Sequence, residues 1–308
     1  MRRQVAAFVD RYRDDGVRSA LTETALYGID RFVAHPYSDR LLSDRLQQKL
    51  SMCLRVGYWP TIEAPRTFNE KIMHRKLYTD DERFARVEDK WAARAYVRDH
   101  WNADILPEVY HVTETPATVP FEELPDEYVV KPSHLMGEVI FVDGDASPDE
   151  SAIESRCRDW LDRTHGVSKG EYWYAEIEPR IIVEEFLRAE DGSPPIDYKF
   201  YVFHGTVEYV QTNLDRFDDH TKRFYDRDWN PCPFAHNREL GPVIDRPERL
   251  ATMIEIAERL GQPFEFIRVD LYQPTPERVV FGELTVAPAS GGGAFDPKEY
   301  DFVLGERW

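Results

Sequence analysis

The chain has 308 residues, of which 42% are hydrophobic and 13% aromatic, so it is long and apolar enough to fold as two or three lobes. Its formal net charge of −18 argues against nonspecific binding to nucleic acid or to anionic membranes, because a polyanion would be repelled. The chain has no run of about 18 uncharged apolar residues, no secretory leader pattern and only three, widely spaced, cysteines. These features predict a protein without a transmembrane segment that works in the reducing cytoplasm.

The first part of the chain is predicted to be helical. Apolar residues such as Val5 and Phe8 recur at helical spacing, and residues 1–60 are expected to form an N-terminal helical region. A proline-containing loop follows this region. Either Thr67 or Asn69 is then expected to cap the next helix, because short polar side chains accept hydrogen bonds from the first free backbone N–H groups.

The rest of the chain mixes helical and strand patterns. Three more helices are expected, over residues 87–101, 151–164 and 249–260. Strands are expected between residues 105 and 142 and between 180 and 210, before a long polar stretch over residues 215–247. The chain shows no fixed repeat, no Rossmann-type alternation and no fingerprint of the G-x-G-x-x-G or G-x-x-x-x-G-K-S/T type. This pattern indicates an α+β fold with a largely antiparallel sheet.

Two acidic residues in the last third of the chain each close an apolar run. Asp270 closes the first run and Glu283 the second, and a short turn-rich stretch containing Pro274 and Pro276 separates them. The spacing predicts a hairpin in which the two carboxylates meet at one end of a sheet. Paired oxygen ligands of this kind suit a Mg²⁺ ion that bridges nucleotide phosphates.

Charged residues also end two upstream strand-like runs. Lys131 ends the run Tyr128-Val129-Val130, and Glu184 and Glu185 end the run Ile181-Ile182-Val183. Along the chain, a lysine is followed by an acidic pair and then by the two carboxylates of the hairpin. This order of groups suggests an ATP site. Asp197 and Lys199 alternate along a strand and are therefore expected to share one face, where a structural salt bridge is an equally good interpretation.

Several short stretches occur together in one order. They are Arg66-Thr67-Phe68-Asn69-Glu70-Lys71 with Arg75-Lys76-Leu77-Tyr78, Glu88-Asp89-Lys90, Pro179 to Leu187, Asp197-Tyr198-Lys199-Phe200, Arg223-Phe224-Tyr225-Asp226, Arg268-Val269-Asp270-Leu271-Tyr272 and Phe281-Gly282-Glu283-Leu284-Thr285. With these stretches the chain resembles the ATP-grasp superfamily. Within it the similarity is to the TupA-like group, which is linked to teichuronopeptide and surface-polysaccharide synthesis. The resemblance covers about residues 55–305.

The resemblance implies an ATP-grasp fold, in which two α+β lobes with mainly antiparallel sheets grip ATP. The expected division is a helical region over residues 1–60, an α+β part over 61–125, a first ATP-grasp lobe over 126–190 and a second lobe with the metal site over 191–308. It also implies a ligase in which ATP phosphorylates a carboxylate and an amine attacks the acyl phosphate. The implied partners are ATP, Mg²⁺ and a small-molecule or glycan carboxylate and amine; no oligomeric state is implied.

The resemblance implies a role for each of ten residues. Lys90 and Lys131 would hold the phosphates. Glu184, Glu185 and Leu187 would belong to the hinge that binds adenine, and Asp197 would lie near the ribose. Asp270 and Glu283 would bind Mg²⁺, and Lys199 and Arg268 would face the phosphates or the transferring group.

The chain departs from the family pattern at the loop that should cover the phosphates. This loop, Lys131 to Glu138, has one glycine where related proteins have two, and it adds a carboxylate at Glu138. His134 in this loop is more simply interpreted as a packed residue than as an acid or base. The residue two positions after Glu283 is Thr285, where an asparagine is common in the superfamily.

The altered loop leaves a second class of function open, a nucleotide-binding or scaffolding module that has lost turnover. A phosphotransferase or a glycan-modifying transferase on the same fold is a third possibility, because a fold does not determine its chemistry. The glycine-rich stretch Ser290 to Gly293 fits either an anion-binding loop or a surface loop. Residues 215–220 are expected to form a solvated polar loop.

Overall fold

The structure is a computed structural model that describes residues 43–144, 148–166, 169–214 and 221–308. The predicted helices before residue 43 and the polar loop at 215–220 lie outside these residues. The helices are α1 (Asp44–Val56), α2 (Phe68–Tyr78), α3 (Arg83–Glu88), α4 (Ala92–His100), α5 (Glu150–Leu161), α6 (Leu250–Gly261) and α7 (Glu299–Arg307). In the described part of the chain, no helix has the length and apolar character that a membrane crossing requires.

Two antiparallel sheets and one short ribbon organise the described chain. The strands are β1 (Val109–Thr113), β2 (Glu127–Pro132), β3 (Ile140–Asp143), β4 (Ile181–Glu185), β5 (Asp197–Phe203), β6 (Thr206–Leu214), β7 (Thr221–Asp226), β8 (Ala235–His236), β9 (Phe266–Thr275), β10 (Arg278–Thr285) and β11 (Phe295–Asp296). The small sheet has the order β1-β4-β2-β3, the large sheet β10-β9-β5-β6-β7, and β8 pairs with β11. The α+β class with antiparallel sheets is therefore confirmed.

The small sheet buries one face against α5. Tyr128, Val130 and Val183 alternate along their strands and pack with Trp160 of α5, which is fully buried. Side chains of alternate residues point to the opposite face. Lys131 of β2 therefore lies on the face that points away from α5.

The large sheet has one apolar and one polar face. Phe200, Val202 and Val269 occupy the apolar face, where Gly261 at the end of α6 packs closely on Val202. Residues that alternate with these, beginning with Lys199, form the polar face. This face carries five of the ten candidate functional residues, namely Asp197, Lys199, Arg268, Asp270 and Glu283.

The helix predicted over residues 87–101 is wrong as one element, because the chain breaks at Asp89. There the backbone is extended (φ −72°, ψ 111°), which ends α3. The Asp89 carboxylate accepts a hydrogen bond from the Trp91 N–H at 2.8 Å, just before α4 begins. Lys90 consequently lies in the connection between the two helices and not on an exposed helical face.

The closing hairpin is confirmed, but its turn is tighter than predicted. Pro274 lies within β9, and only Pro276 and Glu277 form the turn. Pro274 has no N–H group to offer a neighbouring strand, and β5 pairs with β9 no further than Tyr272, so no hydrogen bond to β5 is lost. The long polar stretch over residues 215–247 contains β7, the edge strand of the large sheet.

The Arg66-to-Lys71 stretch attaches α2 to the end of the described chain. Thr67 is the N-cap, and it forms a capping box with Glu70, so the prediction of Thr67 rather than Asn69 is the correct one. The Asn69 amide group instead donates to the Gly293 carbonyl at 2.7 Å and to the Asp301 carboxylate at 2.8 Å. This stretch therefore joins segments that are distant in the chain.

We expect Asn69→Ala to destabilise the fold by about 2–3 kcal/mol, because buried groups of Gly293 and Asp301 would lose a partner. Chemical denaturation measures this change. Asp99→Ala, which removes an exposed ion pair with Arg86, is the control and should change stability by about 0.5 kcal/mol or less. Equal losses of unfolding free energy in the two variants would contradict a stabilising role for the hydrogen bonds of Asn69.

Candidate functional site

The hairpin of β9 and β10 places Asp270 directly opposite Glu283. A β-bulge at Gly282 creates this register by inserting one extra residue into β10. A side chain at Gly282 would lie 2.8 Å from the ring of Tyr272 and 3.1 Å from the Asp270 carbonyl oxygen, so only glycine fits here. The convergence of the two carboxylates predicted from the sequence is thus confirmed.

Arg268 lies between the two carboxylates. Its Nε donates to Asp270 Oδ1 at 2.7 Å, and its Nη2 donates to Asp270 Oδ2 at 2.7 Å and to Glu283 Oε1 at 2.8 Å. The same nitrogen lies 3.0 Å from Thr285 Oγ1. Thr285, which stands where an asparagine is common in related proteins, therefore helps to orient the arginine.

A polar network continues from Asp270 across the sheet. Lys199 on β5 forms an ion pair with Asp270 and a second one with Asp197 at 2.7 Å. Asn213 on β6 donates to Asp197 at 3.2 Å and accepts a hydrogen bond from Gln211 at 2.7 Å. The predicted shared face of Asp197 and Lys199 is confirmed, and their contact is an ion pair within this network.

The protein environment shifts the pKa values of Asp270 and Glu283 in opposite directions. Burial raises the pKa of Asp270 to about 6, even though the charges of Arg268 and Lys199 oppose this shift. For Glu283 burial acts in the same direction, but the charges of Arg268, Lys199 and Lys90 outweigh it and hold the pKa at about 2. Both groups are therefore ionised at slightly alkaline pH, which is the form that a metal ion requires.

Lys131 and Glu184 form an ion pair on the polar face of the small sheet. Each lies diagonally across β2 and β4 from the other, because Lys131 is opposite Ile182 and Glu184 is opposite Val129. Their side chains are mostly buried, with exposed fractions of 19% and 9%. The lysine expected at the phosphates and the glutamate expected at the adenine are thus direct neighbours.

Lys90 connects the two sheets electrostatically. Its backbone N–H donates to the Ser133 carbonyl at 3.1 Å, and its ammonium group donates to the Leu135 carbonyl. Burial lowers the pKa of Lys90, while the charge of Glu283 on the large sheet raises it and the charge of Lys131 on the small sheet lowers it. Lys90 therefore interacts electrostatically with an anion of the large sheet and with a cation of the small sheet.

The carboxylate pair does not make a complete metal site by itself. Within the described ranges, no group of three His, Cys, Asp or Glu side chains could hold a metal ion. Asp270 and Glu283 offer hard oxygen ligands at one point, which fits Mg²⁺ when other ligands, such as phosphate oxygens, complete its shell. The donor set therefore fits a metal ion that arrives with a nucleotide.

The family model of the TupA-like ATP-grasp proteins matches residues 70–308 of this chain. The chain belongs to this family. Its α+β architecture with antiparallel sheets is the ATP-grasp fold that the sequence resemblance implied. No curated protein matches the chain.

Solved structures similar to this ATP-grasp chain include two ligases. One is the D-alanine–D-alanine ligase from Bacillus anthracis complexed with ATP, at 13% identity and a TM-score of 0.40, covering 66% of this chain and 55% of that one. The other is an L-amino acid ligase from Bacillus licheniformis, at 15% identity and a TM-score of 0.41, covering 83% and 48%. The chain thus spans about half the length of these proteins.

The segment expected to bind adenine joins the two sheets of this ATP-grasp chain. Glu185 lies next to Glu184 but pairs with Arg278 at the start of β10, at 2.7 Å between Nη2 and Oε2. Its hydrogen bond with Arg278 lowers the pKa of Glu185. Leu187 lies two residues beyond β4 and is half-buried. Glu185 therefore joins the small sheet to β10, whereas Glu184 faces Lys131.

The loop after Lys131 is attached to α5. His134 is buried and contacts the carbonyls of Trp160 and Arg163, both at 3.1 Å, which agrees with a packed residue. Glu138 pairs with Arg163 at 2.6 Å and with Arg156 at 3.0 Å. The carboxylate that the sequence suggested would repel phosphates is thus turned toward α5 and neutralised by two arginines.

The glycine-rich stretch near residue 290 folds back on α2. Ala289 and Ser290 adopt left-handed backbone angles (φ 51° and 55°), which are strained for residues with a side chain. Buried Lys76 donates to Ser290 Oγ at 2.8 Å and to its carbonyl at 3.0 Å. The stretch is therefore held by contacts within the protein and is not a free surface loop.

Sequence reasoning gave no role to Glu88, which lies at the centre of this region. Its side chain is 5% exposed, accepts from Val286 N–H at 2.8 Å and receives the hydroxyl hydrogen bond of Tyr174 at 2.6 Å. Val286 follows the hairpin residues directly, whereas Tyr174 precedes β4. Helical spacing is the sequence signal that could have predicted the burial of Glu88, because it shares the buried face of α3 with Phe84, four residues earlier.

We expect Glu88 to make stability depend on pH, because burial raises its pKa from the usual 4.5 to about 8. The nearby charges of Glu171 and Glu283 act in the same direction. The folded chain holds this proton more tightly than the unfolded chain. The associated stabilisation is thus complete below about pH 4.5 and is lost as the pH rises to about 8.

The variant Glu88→Gln is the uncharged comparison. Between about pH 5 and pH 8 the wild type should lose about 2–4 kcal/mol of unfolding free energy relative to this variant. Denaturant titrations at several pH values measure the difference. Glu82→Gln, at an exposed position, is the control and should follow the wild type. Parallel curves for wild type and Glu88→Gln would show that Glu88 is ionised when folded.

Proposed function

We propose that the chain is an ATP- and Mg²⁺-dependent ligase of the ATP-grasp type, which activates a carboxylate as an acyl phosphate for attack by an amine. One observation carries the proposal. Asp270 and Glu283 lie opposite each other on the large sheet, and both Glu283 and Lys131 of the small sheet interact electrostatically with buried Lys90. Facing cations and hard oxygen ligands are what a nucleotide triphosphate with its metal ion requires.

In this proposal, Lys90 and Lys131 hold the phosphates as point charges. Asp270 and Glu283 hold Mg²⁺, which when bound neutralises charge on the phosphate oxygens. Lys199 and Arg268, both on the polar face of the large sheet, orient and stabilise the group being transferred. Phosphoryl transfer depends mainly on position and electrostatics, so a rigid, charged sheet surface is suited to it.

The nucleoside would lie beside the hinge. Leu187 and the backbone after β4 would contact adenine together with Glu184 and Glu185, and Asp197 at the start of β5 would lie near the ribose. Lys131 is paired with Glu184 in this structure. Nucleotide phosphates would compete for this lysine and leave Glu184 free to accept a hydrogen bond from the base.

The proposed reaction has two steps. A carboxylate oxygen of the first substrate attacks the γ-phosphorus, and the bond from that phosphorus to the bridging oxygen of ADP breaks. The amine nitrogen of the second substrate then attacks the acyl carbon, the carbon–oxygen bond to phosphate breaks, and the nitrogen loses a proton. The products are ADP, phosphate and an amide.

The substrates in this proposal are a small-molecule or glycan carboxylate and an amine used in making cell-surface polysaccharide or a teichuronopeptide-like polymer. Membership of the TupA-like family supports this choice. The use of ATP supports a cytoplasmic location. The anchored loop around Glu138, whose charge is neutralised by Arg156 and Arg163, supports turnover rather than a module that only binds nucleotide.

We expect ATP binding to depend on Mg²⁺, and calorimetry with and without the ion measures this. The double variant Asp270→Asn, Glu283→Gln should lose the Mg²⁺-dependent part and bind about 10-fold or more weakly, since it removes both charged ligands. Asp99→Asn, at an exposed position, should bind as the wild type does. Mg²⁺-independent binding in the wild type would contradict the assigned metal ligands.

The ligase reaction itself is tested by ADP release in the presence of pairs of amino acids and acidic sugars. ADP and phosphate should form only when a carboxylate and an amine are both present, and the product should contain an amide. Unchanged turnover by the double variant would overturn the proposal. A stable phosphorylated product would replace the ligase with a phosphotransferase.

A further inference from the structure

We propose that Arg268 is a resident cation of the Asp270–Glu283 pair, and that a divalent metal ion displaces it only when nucleotide phosphates arrive with the metal. The inference rests on the proposed function, because it concerns the same carboxylates. It adds a regulatory role for Arg268, which would couple metal binding to nucleotide binding.

The contacts of one nitrogen atom carry the argument. Arg268 Nη2 lies 2.7 Å from Asp270 Oδ2 and 2.8 Å from Glu283 Oε1, so it occupies the point where these two oxygens meet. A Mg²⁺ ion bound by both oxygens would lie about 2.1 Å from each. The ion and Nη2 would then compete for one position, and the guanidinium group would have to move.

The guanidinium group is held firmly in this position. Its Nε binds the second oxygen of Asp270 at 2.7 Å, and Thr285 Oγ1 lies 3.0 Å from Nη2. The side chain is 11% exposed, and that of Asp270 is 1% exposed. Hydrogen bonds between charged groups are strong where water is scarce. A metal ion alone would have to break several of them.

The charge balance explains why nucleotide is needed. Three carboxylates, of Asp197, Asp270 and Glu283, surround the polar face. Four cations oppose them: Lys199 and Arg268 by direct contact, Lys90 through its interaction with Glu283, and Lys222 through its interaction with Asp197. A bare divalent ion would add positive charge to a site whose carboxylates already have at least as many cations around them, which is unfavourable in a buried place.

A nucleotide triphosphate changes this balance. Its complex with Mg²⁺ carries net negative charge, so it can bring the metal to the carboxylates and also receive the displaced guanidinium. The planar fork of arginine matches phosphate oxygens as well as it matches carboxylates. Arg268 would therefore exchange one set of anionic partners for another. Metal and nucleotide would each increase the affinity for the other.

The variant Arg268→Gln removes the resident charge and keeps a polar side chain of moderate length. Electron paramagnetic resonance measures the binding of Mn²⁺ without nucleotide. This binding should be about 10-fold tighter or more in the variant than in the wild type. Arg268→Lys keeps the charge and should stay close to the wild type. Arg227→Gln, which removes an arginine paired with Glu258 at the surface, is the matched control and should show no change.

Unchanged or weaker Mn²⁺ binding by a folded Arg268→Gln protein would overturn the inference. Thermal unfolding of each variant establishes that it is folded. Binding of ATP with Mg²⁺ by the wild type is measured in parallel. If the wild type does not bind ATP with Mg²⁺, the proposed function is overturned. If the wild type binds ATP but Arg268→Gln does not bind Mn²⁺ more tightly, only the role of Arg268 is overturned.

A measurement on the unaltered protein covers the case in which Arg268→Gln does not fold. The Nε–H nuclear magnetic resonance signal of Arg268, identified by its loss in Arg268→Lys, should be protected from solvent exchange. It should shift when ATP and Mg²⁺ are added together and stay in place with Mg²⁺ alone. A signal that does not move while calorimetry records nucleotide binding would contradict the displacement.

Discussion

The row of ion pairs that joins Lys199, Asp270, Arg268 and Glu283 is the interaction on which the candidate site depends. Charged groups are expensive to remove from water, and they are tolerated inside a protein only when each meets a partner in good geometry. The row therefore requires one register between β5, β9 and β10, since a shift by one residue would send every one of these side chains to the apolar face. The same ion pairs therefore hold the charged side chains of the candidate site in place and fix the register of the strands.

Contacts from distant segments hold this sheet surface against the rest of the molecule. Glu88 joins α3 to Val286 at the end of the hairpin and to Tyr174 before the small sheet. Glu185 joins the small sheet to Arg278 at the start of β10. The hairpin is thus fixed near Glu283, at the end of β10, by a buried carboxyl group and at its turn end by an ion pair. A rigid frame of this kind suits a reaction that depends on position and charge more than on acid–base chemistry.

Local patterns predicted the elements whose formation depends on nearby residues. The helix cap, for which the sequence offered Thr67 or Asn69, the helix α6 and the closing hairpin follow from residues within a few positions, and the structure contains all three, with Thr67 as the cap. The break at Asp89 and the edge strand β7 were missed for different reasons. At the break, Lys90 N–H binds Ser133, which is distant in the chain. Strand β7 pairs with β6, the strand directly before it, but lies in a stretch whose composition is mainly polar.

The sequence by itself determined the α+β class and the acidic ends of the two hairpin strands, because two-residue alternation and turn residues are local properties of a chain. It also determined, by resemblance, the ATP-grasp family to which the chain belongs. Only the tertiary structure decided that Arg268 lies between Asp270 and Glu283 and that Glu138 is turned toward α5. It also decided that Glu88 is buried beside Val286, 198 residues away. These arrangements depend on which side chains share desolvated space, and that is set by packing between segments distant in the chain.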